Sequence, residues 1–352
     1  MPREVDSRYA WFRLVVSILL SALGSVGTWS VVVALPAVQT EFGAARGGAS
    51  LPYALTTIGF GLGGVLMGKL SDRFGVVTPV LFGAAAIGAG YVLASVASDL
   101  TQFALAYGLL IGTFGAASTF VPLMADISRW FERRRGVAVA LCASGNYISG
   151  AFWPPVVDYL IQTIGWRAAH FWIGLFCLAL MVPLALLLRA PAPVRAMNAP
   201  PLPTVFSRAT NLPPGLLQAL LAIAGFACCV AMSMPQVHIV AYCGDLGYGV
   251  ANGARMLSLM LFGLFQGGLV PSYAIVIREN FPASEAGARV GFVMMTTLLG
   301  MAVGGWMSGA IFDLTGSYRA AFANGVGWNA LNLAIAVFLL SRGRGRSLLR
   351  AA

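Results

Sequence analysis

Charge is what this sequence has least of. Of its 352 residues, 10% are Asp, Glu, Lys or Arg, against about 25% in an ordinary soluble domain. Only 12 residues are acidic, and of the 22 basic ones Lys69 alone is a lysine. Two histidines and five cysteines, with no C-x-x-C pair, leave no ligand set for a metal cluster. Cys142, Cys177, Cys228, Cys229 and Cys243 lie in or at the ends of apolar runs and read as small fillers of helix contacts. There is no G-x-S-x-G nucleophile motif and no pair of carboxylates within one apolar run, so neither an enzyme nor a cofactor is expected. No polar segment interleaves basic and aromatic residues, which excludes a nucleic-acid surface.

What the sequence does have is grease. Apolar residues make up 59% of it and the mean hydropathy is +0.82. Apolar stretches of about 20 residues recur, each long enough to cross ~30 Å of hydrocarbon as a helix. Hydrocarbon offers the backbone no partner, so these runs must be helices or a closed barrel. Their apolar character is continuous rather than alternating, which rules out the barrel. The fold expected is an all-α polytopic membrane protein with ten spans, near 11–34, 49–70, 77–97, 100–125, 136–161, 168–188, 214–241, 254–277, 287–311 and 321–340. The first run is too long for a secretory h-region and reads as an uncleaved span.

The basic residues orient this map. With both termini cytoplasmic, 18 of the 22 Lys and Arg fall on the inner side, three on the outer side (Arg46, Arg167, Arg319) and one, Arg255, inside a span. The abundance of Arg and Ala fits a bacterial source, hence a multi-pass protein of the inner (cell) membrane. Residues 189–213, RAPAPVRAMNAPPLPTVFSRATNLP, are rich in Pro and read as a stiff cytoplasmic linker. The domains expected are a six-helix bundle (1–188), this linker, and a shortened bundle of about four helices (214–352).

The two halves are related. WFERRRGVAVALCASG (130–145) matches NFPASEAGARVGFVMM (280–295), and DYLIQTIGWRAAHF (158–171) matches DLTGSYRAAF (313–322), with Arg167 and Arg319 152 residues apart. EFGAARGGASL (41–51) matches DLGYGVANGARML (245–257) at an offset of 204. Such parallel repeats occur in secondary transporters. The fall in offset, about 54 residues, equals roughly two membrane helices at ~1.5 Å per residue. The seam falls near 258–264, so the second half lacks the helix pair that would hold a twin of GKLSDRFG (68–75).

GKLSDRFG itself carries a resemblance. Gly68, Asp72, Arg73 and Gly75 match the G-x-x-x-D-R-x-G loop between helices 2 and 3 of the major facilitator superfamily, with Val76 and Val77 where basic residues usually follow. RWFERRRGVAVALCASG (129–145), through Trp130, Phe131, Arg133, Arg134 and Gly136, resembles the inner loop and helix-5 start of monocarboxylate porters and oxalate/formate antiporters. VHIVAYCGDLGYG (237–249) is similar to helix 7 of that group. The resemblance implies a two-bundle, 6 + 4 version of the superfamily fold. It implies alternating-access transport of a small organic anion, coupled to a proton or a counter-anion. It also implies gating roles for Gly68, Asp72, Arg73, Gly75, Arg133 and Arg134. A transport-inactive remnant or a membrane interaction protein is the alternative. The acidic residue usual in helix 1 of the group has no counterpart in LGSVGTWSVVV.

An ionisable group at the centre of a span costs ~2.5–3.5 kcal/mol on insertion scales, so each needs a reason. Arg255 either snorkels to the interface or faces the cavity as a carboxylate partner. His238 is either a substrate or proton site or a structural hydrogen bond. Asn146 and Gln266, near mid-depth, either bridge helices or join them as substrate contacts. Asp126 and Asp158 read as anchors or interhelical partners, Trp29 and Tyr242 as interfacial belt aromatics. Gly59/Gly63, Gly64/Gly68 and Gly305/Gly309 are spaced for close helix contact.

Overall fold

Apolar runs of this length leave the backbone to satisfy itself, and helices are the result. The structure, a computed structural model, describes residues 5–190, 212–259, 276–277, 280–281 and 283–347, and among them no strand occurs. In chain order the helices are α1 Arg8–Phe42, α2 Arg46–Phe74, α3 Val77–Ser95, α4 Leu100–Trp130, α5 (135–164), α6 (166–186), α7 Pro214–Asp245, α8 Val250–Leu259, α9 Ala283–Thr315 and α10 Tyr318–Ser347. Helices α5 and α6 form one continuous run broken only at Gly165, where φ is 79°. Counting that run once, eight of the described helices are long and apolar enough to cross a membrane. The span expected at 254–277 is described only to Leu259 and again at 276–277; Gln266 lies outside the described residues, as does most of the linker.

The internal repeat is visible in the turns. Gly43 and Gly247 follow α1 and α7 with φ of 59° and 79°, and Gly165 and Gly316 precede α6 and α10 with φ of 79° and 67°. A left-handed backbone favours glycine, so both halves put one at the same two corners.

GKLSDRFG is not a loop. Residues 68–74 are the last two turns of α2, and the chain reverses only at Gly75, whose φ is 78° and whose N–H reaches Ser71 O at 2.8 Å. Nothing in KLSDRF breaks a helix, and Gly75 is the first residue able to end it at positive φ.

Helices α1–α6 pack on one another, with α1 and α3 against the α5–α6 run and α2 and α3 against α4. Helices α8, α9 and α10 pack on α7. Among the described residues the two sets meet mainly through α1 with α7, α2 with α9, and α8 with the α5–α6 run. Close approach inside the first set depends on missing side chains. A Cβ at Gly59 or Gly63 would strike backbone oxygens of α4 at Gly108 and Thr113. Trp29 belongs to this interior and not to an aromatic belt: it is 3% exposed and packs on Gly150 of α5. Gly150 leaves room for the indole, which a Cβ would take.

Several polar groups buried in the first set are paired across helices. Arg13, 1% exposed, clasps Asp126 of α4 with Nε–Oδ2 2.6 Å and Nη2–Oδ1 3.0 Å, donates to Ala190 O at 3.2 Å and lies 4.7 Å from the Trp130 ring. Asp126 is thus an interhelical partner. Ser30, Tyr91, Tyr107 and His170 form one chain of hydrogen bonds across α1, α3, α4 and α6, ended by His170 Nδ1 and Trp166 O at 2.7 Å.

Candidate functional site

The two sets of helices meet along α2 and α9, and small residues set how closely. At the end carrying the α1–α2 and α7–α8 turns, the outer end in the orientation the basic residues predict, Gly309 abuts the Arg46 backbone. Further in, a Cβ on Gly305 would stand 3.1 Å from the Tyr53 ring, and one on Gly61 3.0 Å from Leu298. Gly305 and Gly309 therefore serve the junction between the sets, whereas Gly59 and Gly63 serve the first set alone.

A polar latch closes the outer end. The N–H groups of Arg46 and Gly47 donate to Asp313 of α9 at 2.8 and 2.7 Å. The Arg46 guanidinium pairs with Asp245 of α7 at 2.6 Å and lies 5.0 Å from the Phe312 ring. Beside this latch is a cavity of about 350 Å³, lined by Pro36, Gln39, Arg46, Ala241, Asp245 and Val250 among others. Arg167 serves its own set: it pairs with Glu41 at 2.7 Å and donates to Ser95 O and Ala97 O, both at 2.8 Å, while Trp166 Nε1 also donates to Glu41. The repeat matches Glu41 with Asp245, yet only Asp245 reaches across the junction.

Beneath the latch four helices present polar groups to one another. Tyr53 is 1% exposed, and its hydroxyl has no hydrogen-bond partner among the described residues. Tyr53 of α2 and Tyr147 of α5 both lie within electrostatic reach of Cys229 on α7, as does Thr297 of α9, whose hydroxyl donates to Met294 O at 2.7 Å. Cys229 is half-buried while the other four cysteines are buried. A buried hydroxyl without a partner costs about 1–3 kcal/mol, so this point has hydrogen-bonding capacity to spare for a bound molecule.

The sequence candidates spread out differently. Asn146 is half-buried on α5, next to Tyr147 in the chain, and makes no hydrogen bond among the described residues. His238 is 2% exposed and lies toward the outer end of α7. Its Nε2 and Gly305 O are 2.8 Å apart, its Nδ1 and Tyr318 Oη 3.1 Å, so both ring nitrogens are engaged within α7, α9 and α10. Tyr242 meets the Tyr318 and Phe322 rings edge to face at 5.2 and 5.5 Å. Arg255 is exposed on α8, 3.4 Å from Asn252 Oδ1, with Asp158 of α5 in its electrostatic reach; Asp158 accepts from Gln162 at 2.8 Å. Gln266 lies outside the described residues.

At the inner end Asp72 faces Arg129 of α4 at 3.6 Å, and Arg73 lies over the Phe74 ring at 5.1 Å. Gly68 approaches Val121 of α4. The Arg133 N–H donates to Asp6 at 3.1 Å, and Asp6, Trp11, Arg133 and Arg134 border a second cavity of about 240 Å³. Sequence reasoning missed Tyr53, Tyr147, Cys229 and Thr297 because they come from four helices with no shared spacing. It counted Arg46 only as a charge on the outer side, although a basic residue set against the inward bias was a usable signal.

Two sets of membrane-length helices, closed together at one end around polar groups at mid-depth, define a polytopic protein of the two-bundle carrier class. The family model of the Major Facilitator Superfamily matches residues 17–260, and the chain belongs to that superfamily. Human monocarboxylate transporter 11 is 30% identical over 320 residues, taking in 72% of this chain and 66% of that protein's length. Bovine (Bos taurus) monocarboxylate transporter 13 is 27% identical over 334 residues, with 78% and 75% covered. Among solved structures, the inward open conformation of the xylose transporter XylE from E. coli superimposes with a TM-score of 0.64 at 14% identity, covering 95% of this chain and 96% of that one. These relatives are transporters by name, and the chain resembles the monocarboxylate group among them.

Proposed function

We propose that this chain is a secondary transporter of small organic acids, of the monocarboxylate, formate and oxalate kind, working by alternating access. Two bundles, 1–188 and 214–352, rock about a mid-membrane seat while the 189–213 linker joins them on the cytoplasmic side of a bacterial inner membrane. The observation that carries the reading is the junction of α2 and α9, polar and latched at the outer end, with the unpartnered Tyr53 hydroxyl below the latch. Beneath it the inner end of α2 turns its charge to α4, through Asp72 and Arg129. A carrier needs that asymmetry in one of its two states. Asn146 extends the seat along α5, Arg255 stands near its outer mouth, and His238 fixes the frame.

The shortened second half fits the same reading. The family match ends at residue 260, inside the stretch where the repeat offset changes. The match to bovine monocarboxylate transporter 13 runs over 334 positions yet holds only 78% of these 352 residues, so many of the relative's positions face a gap here. A transporter lacking one antiparallel helix pair keeps its topology.

Uptake of labelled lactate, formate and oxalate into proteoliposomes tests the proposal, run with and without an internal counter-anion or a pH gradient. Saturable uptake that requires internal anion marks an exchanger, and uptake that follows the pH gradient marks a proton symporter. A folded chain that moves none of the three under either condition would refute the reading and leave the transport-inactive remnant.

A further inference from the structure

The outer latch is built like a carboxylate receptor with a carboxylate already in it. Asp313 of α9 sets one oxygen on the Arg46 N–H at 2.8 Å and the other on the Gly47 N–H at 2.7 Å, a two-point grip by adjacent backbone donors. Small residues allow the approach. A Cβ on Gly47 would stand 3.1 Å from Asp313 Oδ2, and one on Gly309, a turn before Asp313, would strike the Arg46 carbonyl at 2.8 Å. The repeat counterpart of Asp313, Asp158 of α5, accepts from Gln162 of its own helix instead.

Arg46 has more donors than the latch uses. Its side chain is 13% exposed; Nη2 holds Asp245 at 2.6 Å, while Nη1 is buried without a hydrogen-bond partner among the described residues. A guanidinium carries five N–H donors and can take a carboxylate two-pronged, whereas Asp245 meets this one through a single nitrogen and a single oxygen. The same side chain lines the outer cavity of about 350 Å³, with Gln39 and Thr40 of α1.

The charges here sort by bundle. Asp245 and Asp313 stand on α7 and α9, Arg46 on α2. Glu41, at the same end of the first set, is already paired with Arg167 at 2.7 Å. His238, within electrostatic reach of Arg46 and Asp313, stands on α7 with both ring nitrogens engaged. With the latch closed, two carboxylates face one guanidinium, and a free anion finds no excess of positive charge. When the sets part, both carboxylates leave with the second set. The first set then keeps a guanidinium and two N–H groups that have lost their acceptors, and an anion from outside satisfies all of them.

We propose that the Arg46 guanidinium and the N–H groups of Arg46 and Gly47 are the outer docking site for the solute's carboxylate, and that Asp313 is a tethered stand-in for it. The acid arrives through the outer cavity, takes the place of Asp313 on the N–H pair and of Asp245 on the guanidinium, and so holds the outer end open. Its departure inward returns Asp313 to the N–H pair and closes that end. The unpartnered Tyr53 hydroxyl, ~10 Å further along α2 at 1.5 Å per residue, is the next donor on the way in. This rests on the reading of the chain as an organic-acid transporter.

The test is a binding measurement that needs no transport. Purified full-length protein in detergent is melted with increasing lactate, formate or oxalate, and with lactamide as the uncharged control, at constant ionic strength. A solute that binds the folded chain raises the melting temperature. Lactate is expected to raise it and lactamide to leave it unchanged. Asp313→Asn removes the competing carboxylate and should lower the lactate concentration giving half the rise severalfold, because apparent affinity follows the fraction of chains in the competent form. Arg46→Gln should raise that concentration about tenfold or more. A residue that only latches gives the opposite sign, since loosening the latch alone enlarges the competent fraction. No rise with any of the three acids overturns the proposal, and so does a rise with lactamide equal to that with lactate. An unchanged or lowered concentration in Arg46→Gln overturns the role of the guanidinium, and an unchanged or raised one in Asp313→Asn overturns that of the stand-in. If Arg46→Gln does not fold, the lactamide and Asp313→Asn arms decide alone. If lactate binds in this pattern but proteoliposomes take up no organic acid, the transport reading fails and the docking site stands.

Discussion

Asp313 holds two backbone N–H groups across the bundle junction, so removing its charge alone should loosen the outer latch without disturbing any helix. Asp313→Asn keeps one of the two oxygen acceptors, loses the charge and sets an amide NH2 against the other N–H. Hydrogen bonds to charged groups contribute about 1.5–3 kcal/mol, and the exposure of this carboxylate reduces that to ~1–2 kcal/mol for the pair. The outward-open population should therefore rise about 5- to 30-fold. Cells expressing the chain are treated from outside with a membrane-impermeant methanethiosulfonate, and the labelling rate of Cys229 is compared at equal amounts of membrane protein. Cys229 lies beneath Tyr53 and the latch, so the rate should rise by the same factor. Arg46→Gln removes the pair with Asp245, whose carboxylate is 36% exposed, together with the guanidinium's contact on the Phe312 ring, but leaves both backbone bonds to Asp313, and should act more weakly, by ~0–1 kcal/mol for the ion pair. An unchanged rate in both variants would mean that these contacts do not close the outer end.

Further expectations concern stability. Arg13→Met alone or Asp126→Leu alone leaves an uncompensated buried charge and should cost ~3–5 kcal/mol, while the double variant recovers most of it; detergent thermal unfolding reads both, and single variants as stable as the parent would contradict the pairing. Gly63→Ala drives a Cβ into the Thr113 carbonyl and should cost ~1–3 kcal/mol by overpacking α2 on α4. Gly136→Ala meets nothing within 4 Å and should be neutral or slightly stabilising in the same melt. Glu41→Gln weakens a half-exposed pair with Arg167 and should lower stability by ~0–1 kcal/mol, an effect reduced further by salt.

Much of the fold was legible because hydrocarbon reduces the backbone problem to apolar length, and the match of 41–51 with 245–257 foretold the paired turns at Gly43 and Gly247. GKLSDRFG was misread as a loop because its charges suggested solvent; only its glycine at 75 actually breaks the helix. The candidate site was far less legible. Asp126 and Asp158 were recognised as groups needing partners, but Arg13, the partner of Asp126, lies 113 residues away in the chain. Arg46 could not be tied to Asp245 or Asp313 because the repeat sets Asp245 beside Glu41, whose partner is Arg167. His238 drew attention as a rare ionisable group in a span, yet such groups also serve as interhelical bonds, and its contacts to Gly305 and Tyr318 are of that kind. Tyr53 and Thr297 look like ordinary span residues until their helices are brought together.

On the proposed mechanism the junction of α2 and α9 must open and close for a solute to cross. Gly47→Cys with Ala310→Cys tests it directly, since a Cβ on Gly47 would lie 3.4 Å from Ala310 Cα, within reach of a disulfide. Organic-acid uptake into proteoliposomes holding this variant is measured oxidised, then reduced. Uptake should stop on oxidation and return on reduction. Uptake that continues with the disulfide formed would contradict the mechanism.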